Sequence, residues 1–284
     1  PKLRADVDII NNRNEVLQPS DRQKYVCARF ADDGSPNTHV PLDVSGAKLV
    51  QNNLGGMGPG DDGSGDPIMF YENMGTYVDP DGVAQQINVA IQALPANIAE
   101  GIDAYAPRNP KANMLNGKFG QINLQTGTCA TLEFAFFVGN NRARIGEFYF
   151  SMFDLDMNSD GGGKESLGID TFDTALLTAT TELIPEYRDG EFTVHATRPG
   201  TGADNPESPN QLFTGTIGDG KVRADRSVGF ILRNKQKFEV EFCAGPATDA
   251  GARNFLFATG SDLAPQCTNL EAVSYTHLTL PTKA

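Results

Sequence analysis

In the stretch FDLDMNSDGGGKESLGID, residues 153–170, Asp154, Asp156, Asn158 and Asp160 stand at every second position and three glycines follow. Side chains of this kind are calcium ligands. The ion takes six to eight oxygens at about 2.3–2.6 Å and tolerates irregular geometry, so an acidic loop that turns on glycine suits it. Asp156-x-Asn158-x-Asp160-Gly161 reproduces the opening of a calcium loop, with glycine in sixth place. The twelfth place, where a bidentate glutamate is expected, holds Leu167. Glu165 or Asp170, or backbone carbonyls, would have to supply the missing oxygens. The competing reading is a polar β-turn, since Asp, Asn, Ser and Gly are favoured there for conformational reasons alone. DDGSGD at 61–66 and Asp204–Asn205 in GTGADNP are weaker versions, read as solvated loops.

The segment leading into this loop sharpens the choice. In EFYFSMFDLD, Phe148, Phe150 and Met152 share one face of a strand, and Asp154 and Asp156 continue that parity. Two bare carboxylates cannot follow three apolar side chains into a core, because burying an unpaired charge is costly. Either the strand leaves the core at Asp154, or a cation compensates. The approach is a strand, so this is not an EF-hand; on the metal reading, calcium is the cofactor at Asp154, Asp156, Asn158, Asp160 and Glu165, and on the other the loop is an acidic turn.

The elements that must hold the loop are strands. DPIMFYE, QQINVAIQAL, GQINLQ, ATLEFAFFV, EFYFSMFDLD, DTALLTAT, GEFTVHAT, SVGFILRN, KFEVEFC, RNFLFAT and, near the start, KYVCARF alternate with period two. Turn clusters such as DPDG, GGGK and ATDAGA separate them. ANIAEGIDAYA is the best helical candidate, and it is short and interrupted by glycine. The expected fold is all-β: a two-sheet antiparallel β-sandwich, jelly-roll-like, with long Gly/Asp-rich loops. Residues 1–45 read as a lead-in or the end of a preceding unit, 46–264 as the sandwich and 265–272 as a tail. NNLGGMGPGDDGSGD, 52–66, is the most linker-like stretch.

The 284 residues carry a net charge of −13, which argues against nucleic-acid partners. No stretch approaches the roughly 20 apolar residues of a membrane-spanning helix. Four cysteines lack CxxC spacing. Cys129 alternates with Thr131 and Glu133, and Cys243 with Glu239 and Glu241, so both fall on polar strand faces. A core thiol would sit on the apolar face, so disulfide bonding in an oxidising compartment is the better explanation. Cys243–Cys267 is the pairing favoured, because Cys267 follows a short segment able to double back. GxSxG, HExxH, a Walker loop and a dinucleotide fingerprint are absent. Tryptophan is absent too, which weakens a lectin reading without removing it.

At NNLGGMGPG, NMGTYVDPDG, NGKFGQINL, FYFSMFDLD, GTGADNPESP and RNFLFATGSDLAPQC the chain resembles a group of uncharacterised extracellular proteins of marine microalgae and related protists. The resemblance runs from Gly46 to Cys267 and implies a β-rich secreted domain, often part of larger surface proteins. It implies no catalytic residue. FYFSMFDLD is similar, more distantly, to bacterial surface sandwiches with a Phe-rich strand ending in Asp-x-Asp. VSYTHLTLPT, 273–282, resembles a translated sequencing adapter, so 273–284 is expected to be an artefact, and the start at Pro1 reads as a fragment or processed form. The function expected is a non-enzymatic extracellular or cell-surface module in adhesion or surface structure, with glycans or other surface proteins as partners. The alternative is a carbohydrate-binding module or a carbohydrate-active enzyme on the same kind of fold.

Overall fold

The structure, a computed structural model, describes residues 40–259 except 41, 60–64, 79–82, 98, 100, 189–190, 209–210, 215, 218–219 and 249–250. The strands are β1 (Lys48–Asn52), β2 (Ile68–Val78), β3 (Ala84–Ala93), β4 (Met114–Asn116), β5 (Phe119–Gln125), β6 (Thr128–Val138), β7 (Asn141–Arg142), β8 (Ile145–Phe153), β9 (Glu165–Ile169), β10 (Thr174–Leu176), β11 (Leu183–Arg188), β12 (Glu191–Ala196), β13 (Val228–Lys235), β14 (Lys237–Ala244) and β15 (Ala252–Ala258). One antiparallel sheet has the order β1-β2-β3-β6-β14-β9-β12-β11, with β7 added to β6, and the other β10-β13-β8-β15-β5-β4. This order establishes the sandwich and not the finer jelly-roll expectation.

The period-two pattern explains why these segments pair and which face they bury. Along β14 the residues alternate strictly, with Phe238, Val240 and Phe242 inside and Lys237, Glu239, Glu241 and Cys243 outward. From the facing sheet come Phe148, Phe150 and Met152 of β8 and Phe255 and Phe257 of β15. The rings interlock across the gap: Phe134–Phe150 at 5.1 Å, Phe136–Phe148 at 4.8 Å and Phe242–Phe255 at 5.2 Å, all edge-on. Such aromatic pairs add about 0.5–1.5 kcal/mol each beyond the area they bury.

At the end where β8 runs out, the outer face of the second sheet is also covered. Phe153 points away from the Phe150 side, yet it is buried and packs on Phe119 at 4.9 Å. The long segment between β12 and β13 is tied to this end: the Lys118 amide donates to the Glu207 carbonyl at 3.3 Å, and the Leu155 amide to the Arg226 carbonyl at 2.9 Å. That segment carries Asp204 and so brings a third aspartate to the end of β8.

Several expectations are corrected. No α-helix occurs among the described residues, and the ANIAEGIDAYA segment is irregular. Ile102 pairs with Asn97 there, and the Tyr105 hydroxyl is buried against Asn113 and the Asn123 carbonyl. Val40, Leu42 and Val44 are core residues, so the sandwich takes up the chain before Gly46. The linker-like stretch begins with packed residues, since Asn53 and Leu54 are buried. β11 was not anticipated because Pro185 interrupts it. The strand sits at a sheet edge, where a missing amide costs no ladder bond. KYVCARF, Cys267 and the adapter-like 273–284 lie outside the described residues.

Gly120 gives the packing a direct test. A Cβ there would stand 2.1 Å from the Phe257 ring, a close approach only glycine permits. Gly120→Ala is expected to lower stability by about 1–3 kcal/mol in urea unfolding, the usual penalty for overpacking. An unchanged midpoint would show that Phe257 does not fill that space.

Candidate functional site

The site begins where β8 stops. Asp154 takes a left-handed backbone, φ 59°, which Asp tolerates better than most residues. This reverses the parity and turns the chain out of the sheet. The Leu155 amide then donates to the Arg226 carbonyl at 2.9 Å, and the amide of Met157 to that of Arg198 at 3.2 Å. The Gly200 amide returns to the Met157 carbonyl at 3.0 Å. The loop after β8 and the segment after β12 are thereby laced together along one rim.

Both aspartates stay inside despite the turn: Asp154 is 8% exposed and Asp156 4%. Oxygens of Asp154, Asp156 and Asp204 all lie within 4.8 Å of one another. Asp156 Oδ1 accepts from Arg253 Nη1 at 2.8 Å, and Asp204 Oδ2 accepts from Arg226 Nη1 at 2.8 Å. Asp204 Oδ1 accepts from the amide of Thr201 at 2.7 Å and from its hydroxyl at 3.0 Å. Arg226 is itself braced by Glu182 Oε2 at 3.0 Å. No hydrogen bond reaches the Asp154 carboxylate among the described residues. Gly200 is the tight fit behind the cluster, because a Cβ there would stand 1.7 Å from Asp156 Oδ2.

The electrostatics follow from this crowding. Burial, reinforced by Asp156 and Asp204, pushes the Asp154 carboxyl up to about 8. Burial also raises Asp156, to about 6, against the pull of Arg253. Glu165 is raised well above the usual carboxylate range, first by burial and then by Asp156.

The structure divides the five residues read as ligands. Asp154 and Asp156 converge, as that reading required. Glu165 is buried behind them, accepting from the Asp156 amide at 2.9 Å and lying 4.0 Å from Arg253 Nε. Asn158 and Asp160 are exposed turn residues. Arg253 Nη2 donates to Asn158 Oδ1 at 2.9 Å, while Asp160 caps the turn by accepting from the Gly162 amide and the Thr248 hydroxyl. The Gly162 amide and that hydroxyl hold Asp160 below its ordinary value. These two have the exposed turn setting that the conformational reading describes. Asp204, taken from sequence for a solvated loop residue, belongs to the cluster. Arg226 and Arg253 carried no signal, because a lone arginine beside a strand has many uses.

The disulfide expectation is corrected in its partner. Cys243 is bonded to Cys129, not to Cys267. The two are directly opposed in the β6–β14 ladder, with Cα atoms 4.0 Å apart. Both lie on the half-buried outer face among glutamates, as their parity predicted.

No known protein family and no curated protein matches the sequence. Among solved structures, the chain is similar to the N-terminal domain of the Streptococcus gordonii adhesin Sgo0707, with 10% identity, 68% of this chain and 47% of that one covered, and a TM-score of 0.40. It is also similar to the adhesin domain of PrgB from Enterococcus faecalis, a structure with bound DNA, at 14% identity, 68% and 66% coverage and a TM-score of 0.36. The chain thus spans less than two thirds of either. Likenesses this distant carry no inference about ligand or task.

Raised carboxyl pKa values fix a sign for the pH dependence. Above about pH 4 the folded chain holds a proton on Asp154 that the unfolded chain has released, up to the folded value of about 8. This contribution is therefore full below the unfolded pKa and lost as pH rises through about 8. In chelator, the unfolding midpoint of the wild type should fall relative to Asp154→Asn between about pH 5 and pH 8. Parallel curves would mean that Asp154 is solvated.

Proposed function

We propose that this chain is a non-enzymatic β-sandwich module of an extracellular or cell-surface protein, serving adhesion or surface structure and stiffened by calcium. The observation that carries this reading is the Cys129–Cys243 bond. It spans 114 residues of sequence and joins neighbouring strands on a face otherwise lined by Thr131, Glu133, Glu239 and Glu241. Bonds of this kind persist in oxidising surroundings. Calcium fits the same setting, since extracellular modules bind it with dissociation constants of about 0.1–1 mM. No helix among the described residues is long and apolar enough to cross a membrane.

A carbohydrate-active enzyme is the weaker reading. A raised carboxyl beside a second one has the form of an acid–base pair. Glycoside cleavage, however, needs carboxyl groups about 5–9.5 Å apart on either side of a sugar, and the three aspartate groups lie within 4.8 Å, two of them buried. A glycan-binding module without catalysis stays compatible with the polar outer faces.

The test is made on the protein from the cells that produce it. Antibody against the sandwich should label intact cells or the medium, and non-reducing peptide mapping should recover Cys129 joined to Cys243. Replacing both cysteines by serine should cost about 2–4 kcal/mol in unfolding. A strictly intracellular protein with alkylatable Cys129 and Cys243 would contradict the proposal. Release of sugar from glycans by the purified chain would replace it with the enzyme reading.

A further inference from the structure

We infer that Asp154, Asp156 and Asp204 form one divalent-cation site, suited to calcium, that clamps the loop after β8 to the segment between β12 and β13. This names the residues behind the calcium part of the preceding reading and rests on it for the setting in which calcium is plentiful.

Three acidic side chains near one another prove nothing alone, and the independent observation is the state of Asp154. Its carboxylate is aimed at the other two, sits in a residue 8% exposed, and has no hydrogen-bond donor among the described residues. With only this small contact with water, such a carboxylate is poorly compensated. Every other carboxylate here has one: Asp156 has Arg253, Asp204 has Arg226 and Thr201, Glu182 has Arg226, and Glu165 has the Asp156 amide.

The charge balance points the same way. Five carboxylates, Asp154, Asp156, Asp204, Glu165 and Glu182, face two arginines, the buried Arg226 and the half-buried Arg253. The exposed Arg198, 3.8 Å from Glu182, is a third. Two negative charges remain. Two protons or one divalent cation would remove them, and the cation alone also supplies Asp154 with a partner. No hydrogen bond occupies either oxygen of Asp154 or Asp156 Oδ2 among the described residues, and an arginine-bonded oxygen of Asp204 keeps a second lone pair for a cation. Arg253 and Arg226 then hold the ligands in orientation, as groups behind a metal site do. Calcium is favoured over magnesium because the donors come from two loops with no octahedral regularity, and water would complete six to eight oxygens.

The test uses the full 284-residue chain, with thermal unfolding in calcium chloride and in chelator, and calorimetric titration with calcium. One calcium per chain should bind, and at about a hundredfold excess over its dissociation constant the melting midpoint should rise by about 5–10 °C. Asp154→Asn and Asp204→Asn should each abolish the shift, and Asp154→Asn should melt higher than wild type in chelator, having lost a carboxyl that burial disfavours. Asp160→Asn should keep the shift. If either asparagine variant fails to fold, titration of the wild type still decides. No heat of binding and identical melting curves would overturn the inference, as would a shift that survives Asp154→Asn or disappears in Asp160→Asn. An intracellular, thiol-reduced protein that binds calcium would sink the surface reading and leave the site standing, and an exported, disulfide-bonded chain that ignores calcium would do the reverse.

Discussion

A carboxylate taken out of water must find a compensating charge, a donor or a proton, and that constraint organises the rim of this sandwich. Asp154 and Asp156 are pulled inward because the apolar residues around them, Phe153 and Leu155, are nearly completely buried. Backbone reversal at Asp154 lets both apolar neighbours pack while the two carboxylates turn toward the segment carrying Asp204. Two arginines, Arg226 before β13 and Arg253 in β15, meet the resulting charge. The rim is thus an electrostatic knot in which four separate stretches of chain depend on one another.

The aromatic core makes that knot possible. Phe134, Phe136, Phe238 and Phe242 of one sheet mesh with Phe148, Phe150, Phe255 and Phe257 of the other, fixing where β8 and β15 end relative to each other. Phe257 occupies the space left by Gly120. Arg253 stands two residues before Phe255 in β15, so packing of the strand also places the guanidinium beside Asp156. Across the other sheet, the Cys129–Cys243 bond joins β6 to β14 on the polar side, opposite the face where Phe134 stacks on Phe238 at 5.0 Å. Core and covalent link therefore act on the same strand pair from opposite faces.

Much of this was legible in the sequence, and the limits are physical. Alternation in KFEVEFC and GEFTVHAT named the strands and their buried faces, and the same parity put Cys129 and Cys243 outward. Parity says nothing of register, however, and only register sets the two cysteines opposite each other. At Asp154 two outcomes were expected, the strand leaving the core or a cation compensating its carboxylates. A single left-handed residue lets the strand leave the sheet while its carboxylates stay buried. Asp204 stands 48 positions beyond Asp156, and what brings it near is the hydrogen bonding of the segment between β12 and β13 to the loop after β8, a tertiary event with no local pattern. Asn158 and Asp160 drew attention through spacing, and spacing of Asp, Asn and Gly serves turns as well as metals.

On this reading a cation, and not protons alone, balances the rim. Crystals grown in calcium and soaked with a lanthanide, a heavier ion that occupies calcium sites, would locate it through anomalous scattering. The account predicts one peak bounded by Asp154, Asp156 and Asp204, with Arg226 and Arg253 behind the ligands. A peak beside Asp160, or an anomalous map with no peak between the three aspartates, would contradict it.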